Sequence, residues 1–118
     1  MTADAQDDCL FCKIVAGEIP AQLVHENDTV IAFRDLSPQA PTHVLVIPRS
    51  HYPTAAALAA GEPATAAHLF DAARAIAEAE GLDNGYRLVL NTGPDASQTV
   101  FHVHMHLLGG RAMGWPPG

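Results

Sequence analysis

Positive charge is scarce in this chain. Six Lys and Arg stand against thirteen Asp and Glu, a formal net charge of −7 with His neutral. A passive DNA or RNA binder needs a basic footprint, so that class is excluded. One small anionic ligand is not excluded, because a few backbone amides can hold a phosphate. Long apolar runs are missing too; none approaches the roughly 20 residues of a membrane span, and no membrane association is expected. Cysteine is nearly absent. Two thiols three positions apart make no disulfide framework, and they read as a metal or redox pair in a reducing, cytoplasmic compartment. Internal repeats and long linkers are also lacking. Residues 1–8 are acidic and polar, the wrong pattern for a secretory signal, and are expected to form a flexible tail. The remainder, 9–118, is expected to be a single domain, and with 48% apolar residues in the chain a true core is expected.

Hydrophobic periodicity and turn residues divide the domain. Residues 10–16 suit a short helix closed by Gly17 and halted by Pro20. Runs at 23–25 and 30–34 flank the turn cluster Glu26-Asn27-Asp28 and read as a hairpin. Residues 44–47 are wholly apolar, which predicts a strand buried on both faces and ended by Pro48. Thr54 suits the cap of a short Ala-rich turn ending at Gly61. Glu62-Pro63 then opens the longest helix, 64–79, with Leu69, Ala72, Ala73, Ile76 and Ala79 forming one apolar stripe. Strands are expected at 86–90 and 99–108. The outcome is an α+β domain: a five-stranded, mostly antiparallel sheet with one long and one or two short helices covering one face.

Seven histidines are present, and their placement carries the functional signal. The run Val100-Phe101-His102-Val103-His104-Met105-His106-Leu107 alternates apolar residues with imidazoles. On a strand, His102, His104 and His106 share one face about 6.8 Å apart, and Phe101, Val103, Met105 and Leu107 share the other. Three readings fit: a solvated polar face, a zinc site, or nucleophilic catalysis by His104 with a neighbouring His as proton donor. The upstream loop Asn91-Thr92-Gly93-Pro94-Asp95-Ala96-Ser97-Gln98-Thr99 offers amides and hydroxyls to an anion, which favours phosphorus chemistry.

The run His102-Val103-His104-Met105-His106-Leu107-Leu108 resembles the signature of the histidine triad (HIT) family. Leu10-Phe11-Cys12-Lys13-Ile14, the stretch from Ala32 to His43, Val46-Ile47-Pro48, Gly85-Tyr86-Arg87 and the ending Leu108-Gly109-Gly110-Arg111 with Trp115-Pro116-Pro117-Gly118 are similar to its Hint branch. The resemblance implies the HIT-like fold, a two-fold homodimer, and hydrolysis of purine nucleoside 5′-phosphoramidates and related adenylates through a nucleotidyl-histidine intermediate. His104 matches the nucleophile, His106 the residue beside the leaving group, and His43 and His102 the other relay members. Asp35 matches the carboxylate that accepts the ribose hydroxyls, a sound pairing because an ionised carboxylate only accepts. Phe11, Ile14, Ile19, Phe33 and Leu36 match the slot for the base, although each alone reads equally as ordinary core. Asn91, Ser97 and Thr99 match phosphate contacts, and Trp115 lies in a tail expected to reach toward the partner's site.

Two positions depart from the branch, Ser97 where Gly is usual and Thr99 where Ser is usual. If the backbone at 97 needs a positive φ, Ser carries a cost there. Relatives with a Cys pair imply a structural zinc on Cys9, Cys12, His51 and His102, a closed tetrahedral set. Reduced, partly buried thiols are the alternative. Under the zinc reading His102 is structural, not a proton relay. No organic cofactor is expected. Dinucleoside polyphosphate hydrolysis and a nucleotide-binding regulatory module with little turnover are the competing functions, and a zinc hydrolase ligated by His102, His104 and His106 is a further one. His25, His68, Lys13, Arg34, Arg49, Arg87 and Arg111 read as surface groups.

Overall fold

In the computed structural model, residues 6 and 8–118 are described; apart from Gln6 and Asp8, the expected tail lies outside them. Three helices and five strands follow in the order α1 (Leu10–Val15), β1 (Leu23–Glu26), β2 (Val30–Arg34), β3 (Thr42–Pro48), α2 (Ala55–Gly61), α3 (Pro63–Ala79), β4 (Tyr86–Val89) and β5 (Met105–Gly109). The strands form one fully antiparallel sheet in the order β1-β2-β3-β5-β4. Among the described residues no helix is long and apolar enough to cross a membrane.

Local chemistry explains the helix limits. Thr54 caps α2, its hydroxyl accepting the Ala57 amide at 3.1 Å. Pro63 occupies the first turn of α3, where a missing N–H costs nothing. Leu69, Ala72, Ala73 and Ile76 are buried as the stripe predicts. Ala79 is exposed instead, and Thr65 and Ala77 take the remaining buried positions.

The sheet is covered on both faces, not one. On the first face Val30, Ala32, Val44, Val46, Met105 and Leu107 pack under α2 and α3 through Leu58, Leu69, Ala73 and Ile76. On the second, Ile31, Phe33, Leu45 and Ile47 pack under α1 through Phe11, Cys12 and Ile14. Every residue of β3 is therefore buried, which is why its stretch from Val44 to Pro48 is apolar without alternation. Each fully buried Leu, Ile or Val contributes roughly 1.5–3 kcal/mol of transfer free energy.

The last strand is shorter than the sequence predicts. Ladder pairs run from Thr42–Gly109 to Val46–Met105. Two steps further, the same register would set Val103 opposite Pro48, which has no N–H to give. Residues 99–104 turn away instead, and the Val103 amide bonds Tyr52 O at 2.7 Å. Strict alternation thus fails upstream of Met105: Phe101 is 55% exposed and His102 is 0% exposed.

Candidate active site

Strand parity delivers the site. Odd-numbered residues of β2 and β3 face α1, so Phe33 and Leu45 lie on that side, continued by Asp35 and shared by His43. His106 pairs with Leu45 across the ladder and faces the same way. His43 Nε2 and His106 Nδ1 lie 2.9 Å apart, and the His104 and His106 ring centroids 5.0 Å apart.

The hydrogen bonds assign the protons. The Gln39 amide donates to His43 Nδ1 at 3.0 Å, so neutral His43 carries its proton on Nε2 and donates to His106 Nδ1. His106 then holds its own proton on Nε2. His104 Nδ1 donates to the His102 carbonyl at 2.9 Å, leaving the His104 Nε2 lone pair free. A nucleophilic nitrogen and an N–H donor therefore stand on neighbouring rings. Burial, helped by His104 and His43, lowers His106 to about 4. His43 is also lowered, by burial, against a smaller raising pull from Asp35, whose Oδ2 is 3.6 Å from His43 Nε2. Both rings are neutral near pH 7.

Asp35 Oδ1 accepts the Ser37 amide at 2.7 Å. The carboxylate sits at the rim of an apolar cleft of about 230 Å³ lined by Phe11, Ile14, Ile19, Phe33, Leu36 and their neighbours. The structure thus brings all five expected slot residues together beside Asp35. Phe11 links the cleft to the histidines, its ring 5.5 Å from Phe33 and 5.1 Å from His104, edge-on to both. A larger cleft of about 540 Å³ lies between 81–85 and 110–112, and no histidine or cysteine lines it.

The upstream loop contains a 3₁₀ turn at Pro94–Ala96, followed by Ser97 at φ 65°, ψ 33°. Ser97 is the only non-glycine with positive φ among the described residues. Its amide bonds Pro94 O at 3.0 Å. Asn91 is half-buried and Thr99 exposed. Thr99 lines a separate cleft of about 300 Å³ with Cys9 and His51. The loop is braced by Gln98, a buried residue that the sequence did not single out. Gln98 Oε1 accepts the Gly93 amide, and Nε2 donates to Pro53 O and Val100 O. Only the packing reveals it. Trp115 is 82% exposed and does not line the apolar cleft.

Cys9, Cys12, His51 and His102 form a second, fully buried cluster. Cys9 Sγ is 3.4 Å and Cys12 Sγ 3.5 Å from His102 Nδ1. His51 Nδ1 lies 3.3 Å from both Cys12 Sγ and His102 Nδ1. Tetrahedral zinc with Zn–N and Zn–S bonds of about 2.0–2.3 Å requires ligand separations of about 3.3–3.8 Å. The donor set and spacing therefore fit zinc. His102 Nε2 donates to Pro48 O at 2.9 Å, which fixes the tautomer with Nδ1 open to the cluster, the usual outer-shell arrangement for a metal-bound imidazole. Burial lowers His102 to about 4, against the Pro48 carbonyl, and also lowers His51. Burial pushes the Cys12 thiol up to about 11, partly offset by the Gln6 amide. A divalent cation would favour the thiolate. Both ring nitrogens of His102 point away from His104 and His106, and its contribution to their row is its backbone carbonyl.

Asp35, His43 and His106 also gather within metal-binding reach. Their protons argue otherwise: His43 Nδ1 receives an N–H, whereas a ligating imidazole normally donates from its far nitrogen. The trio is instead joined by hydrogen bonds and charge, Gln39 amide to His43 and His43 to His106, with Asp35 beside them.

The HIT domain family model matches residues 16–113. The chain is 50% identical to a HIT family hydrolase from Legionella pneumophila Philadelphia 1, whose crystal structure superposes with a TM-score of 0.90 over 94% of this chain and 100% of that one. It is 47% identical to a 14 kDa zinc-binding protein of Zea mays, over 92% of this chain and 87% of that protein. It is 46% identical to the purine nucleoside phosphoramidase of Escherichia coli K12, over 92% of each. Fold, histidine row and sequence similarity along nearly the whole chain agree, and the protein belongs to the HIT domain family.

Proposed function

We propose that the protein is a nucleotide hydrolase that cleaves purine nucleoside 5′-phosphoramidates and related adenylates at the α-phosphorus. One observation carries the reading: the hydrogen bonds leave a lone pair on His104 Nε2 and a proton on the adjacent His106 Nε2. The similarity to a purine nucleoside phosphoramidase supports the substrate class. The base enters the apolar cleft against Phe11 and Phe33, and Asp35 Oδ2 accepts the ribose hydroxyls. Asn91, Ser97 and Thr99 meet the phosphate. His104 Nε2 attacks phosphorus, a P–N bond to the enzyme forms, and the P–N bond to the amine breaks. The amine leaves with a proton delivered on the His106 side, and His43 orients that ring. Water then cleaves the nucleotidyl-histidine, releases the nucleoside monophosphate and returns a proton to the relay.

Zinc on Cys9, Cys12, His51 and His102 supplies a structural clamp. It ties α1, which carries Phe11 and Ile14, to the segments after β3 and before β5. A reducing, cytoplasmic compartment is part of the same reading, because a lone Cys pair serves as metal ligands there and not as a disulfide framework. A homodimer is part of the same reading, with the edge strand β4 and the exposed Tyr86 and Trp115 as surface for a second copy.

The test is rapid-quench mass spectrometry of the intact chain after mixing with an adenosine phosphoramidate. Wild type should gain one adenylyl group transiently, and His104→Ala should neither gain it nor turn over. Turnover by His104→Ala refutes the nucleophile assignment.

A further inference from the structure

Glu80 stands outside the site just described, on the opposite side of the sheet. It caps the C-terminus of α3, and its backbone amide bonds Ile76 O at 2.8 Å, one residue of the buried stripe. Its carboxylate takes the Arg34 guanidinium through two bonds, Nη1 to Oε1 at 2.6 Å and Nη2 to Oε2 at 3.1 Å. The Thr42 hydroxyl lies near the same carboxylate and also lowers its pKa, less than Arg34 does. Both side chains of the ion pair are largely covered, 33% exposed for Arg34 and 22% for Glu80. A bidentate pair of this kind has a fixed direction as well as attraction.

The two partners are placed unusually. Arg34 is the residue before Asp35, and Thr42 is the residue before His43. Arg34 pairs with Val44, so Arg34, Thr42 and Val44 share the face toward α3. Successive strand residues point to opposite faces. Holding Arg34 and Thr42 from one side therefore fixes the strand ends from which Asp35 and His43 project on the other. The Asp35 amide bonds His43 O at 3.0 Å, so the two ends are joined at this level. No other cation among the described residues contacts Glu80.

We propose that Glu80 is a positioning residue for the candidate active site: through Arg34 and Thr42 it sets the separation and aim of Asp35 and His43. The inference rests on the reading of Asp35 as the ribose acceptor and His43 as a relay member. It adds a residue that touches neither nucleotide nor the reacting atoms.

Two variants of the full, zinc-loaded chain separate positioning from direct charge. Glu80→Gln removes a negative charge, and Arg34→Met removes a positive one. Direct electrostatics would lower His43 in the first and raise it in the second. Loss of positioning weakens the upward pull of Asp35 and lowers His43 in both. The readout is the His43 titration midpoint by NMR, which needs no nucleotide. Shifts downward in both variants are expected; opposite shifts, or none, overturn the inference. Calorimetry with adenosine 5′-monophosphate and its 2′-deoxy analogue gives the second readout. Wild type should prefer the ribonucleotide, and both variants should lose most of that preference, with the double variant no worse than either single one. Undiminished preference in a variant overturns the positioning role alone. Absence of preference in wild type, with His43 falling in both variants, overturns the ribose role of Asp35 and leaves the positioning of the carboxylate standing. Should Glu80→Gln fail to fold, Arg34→Met against Arg34→Lys at the same two readouts decides: positioning requires that the single-point Lys contact restore only part of what Met loses.

Discussion

His106 is only partly exposed, between His43 and His104, and burial followed by those two rings lowers its pKa from 6.5 to about 4. In the unfolded chain the same imidazole takes its proton at the higher value. Between about pH 6.5 and about pH 4 the unfolded state therefore binds more protons than the folded one, and stability must rise with pH across that window. Each pH unit is worth about 1.4 kcal/mol for one such group, so acidification through the window costs the fold roughly 3 kcal/mol from this residue. That is a substantial share of the 5–15 kcal/mol typical of a domain. The perturbation is His106→Asn, which keeps a polar side chain and removes the titration. The assay is urea unfolding at intervals from about pH 7.5 to about pH 4.5, in wild type and variant with zinc present. Acid also acts on the Cys9–His102 cluster, but in both proteins, so the difference in slope reports His106 together with the His43 and His104 rings it touches. The variant should be less pH-sensitive, by at most about 1.4 kcal/mol per unit. Equal slopes in the two proteins refute the neutral, desolvated state assigned to His106, and with it the proton on Nε2.

Three other outcomes follow from the geometry. Protein purified without chelator should hold about one zinc per chain, and Cys12→Ser should hold less than about a tenth of that, measured by elemental analysis. Ser97→Gly should relieve a left-handed backbone that costs a non-glycine roughly 1–2 kcal/mol, offset by about 0.5–1 kcal/mol of added chain entropy. The net gain is a thermal midpoint higher by roughly 2–5 °C, read by calorimetry. Asp35→Asn should weaken binding of adenosine 5′-monophosphate by about tenfold or more, since an amide matches two ribose donors with one acceptor, and titration calorimetry reads it.

Much of this protein was legible one residue at a time. The hairpin around Asn27, the Thr54 cap, the Pro63 helix start and the buried strand before Pro48 are set by local chemistry: turn residues, caps and apolar runs act over a few positions, where neighbours in sequence are neighbours in space. The histidine row, Asp35 and the Cys9–Cys12 pair were visible as residue types at telling spacings. Tertiary structure decided the rest. The strand before Met105 ends early because Pro48, far along the chain, has no N–H to extend the ladder. His102 leaves the row because its ring is drawn into a cluster with Cys9, Cys12 and His51. α1 covers the second face, which no helical stripe announced because the helix has only six residues. The protons on His43 and His106 are set by the Gln39 amide, and the loop brace at Gln98 by the carbonyls of Pro53 and Val100. Each of these depends on a partner dozens of residues away or on a backbone group that any side chain could carry, and sequence pattern records neither.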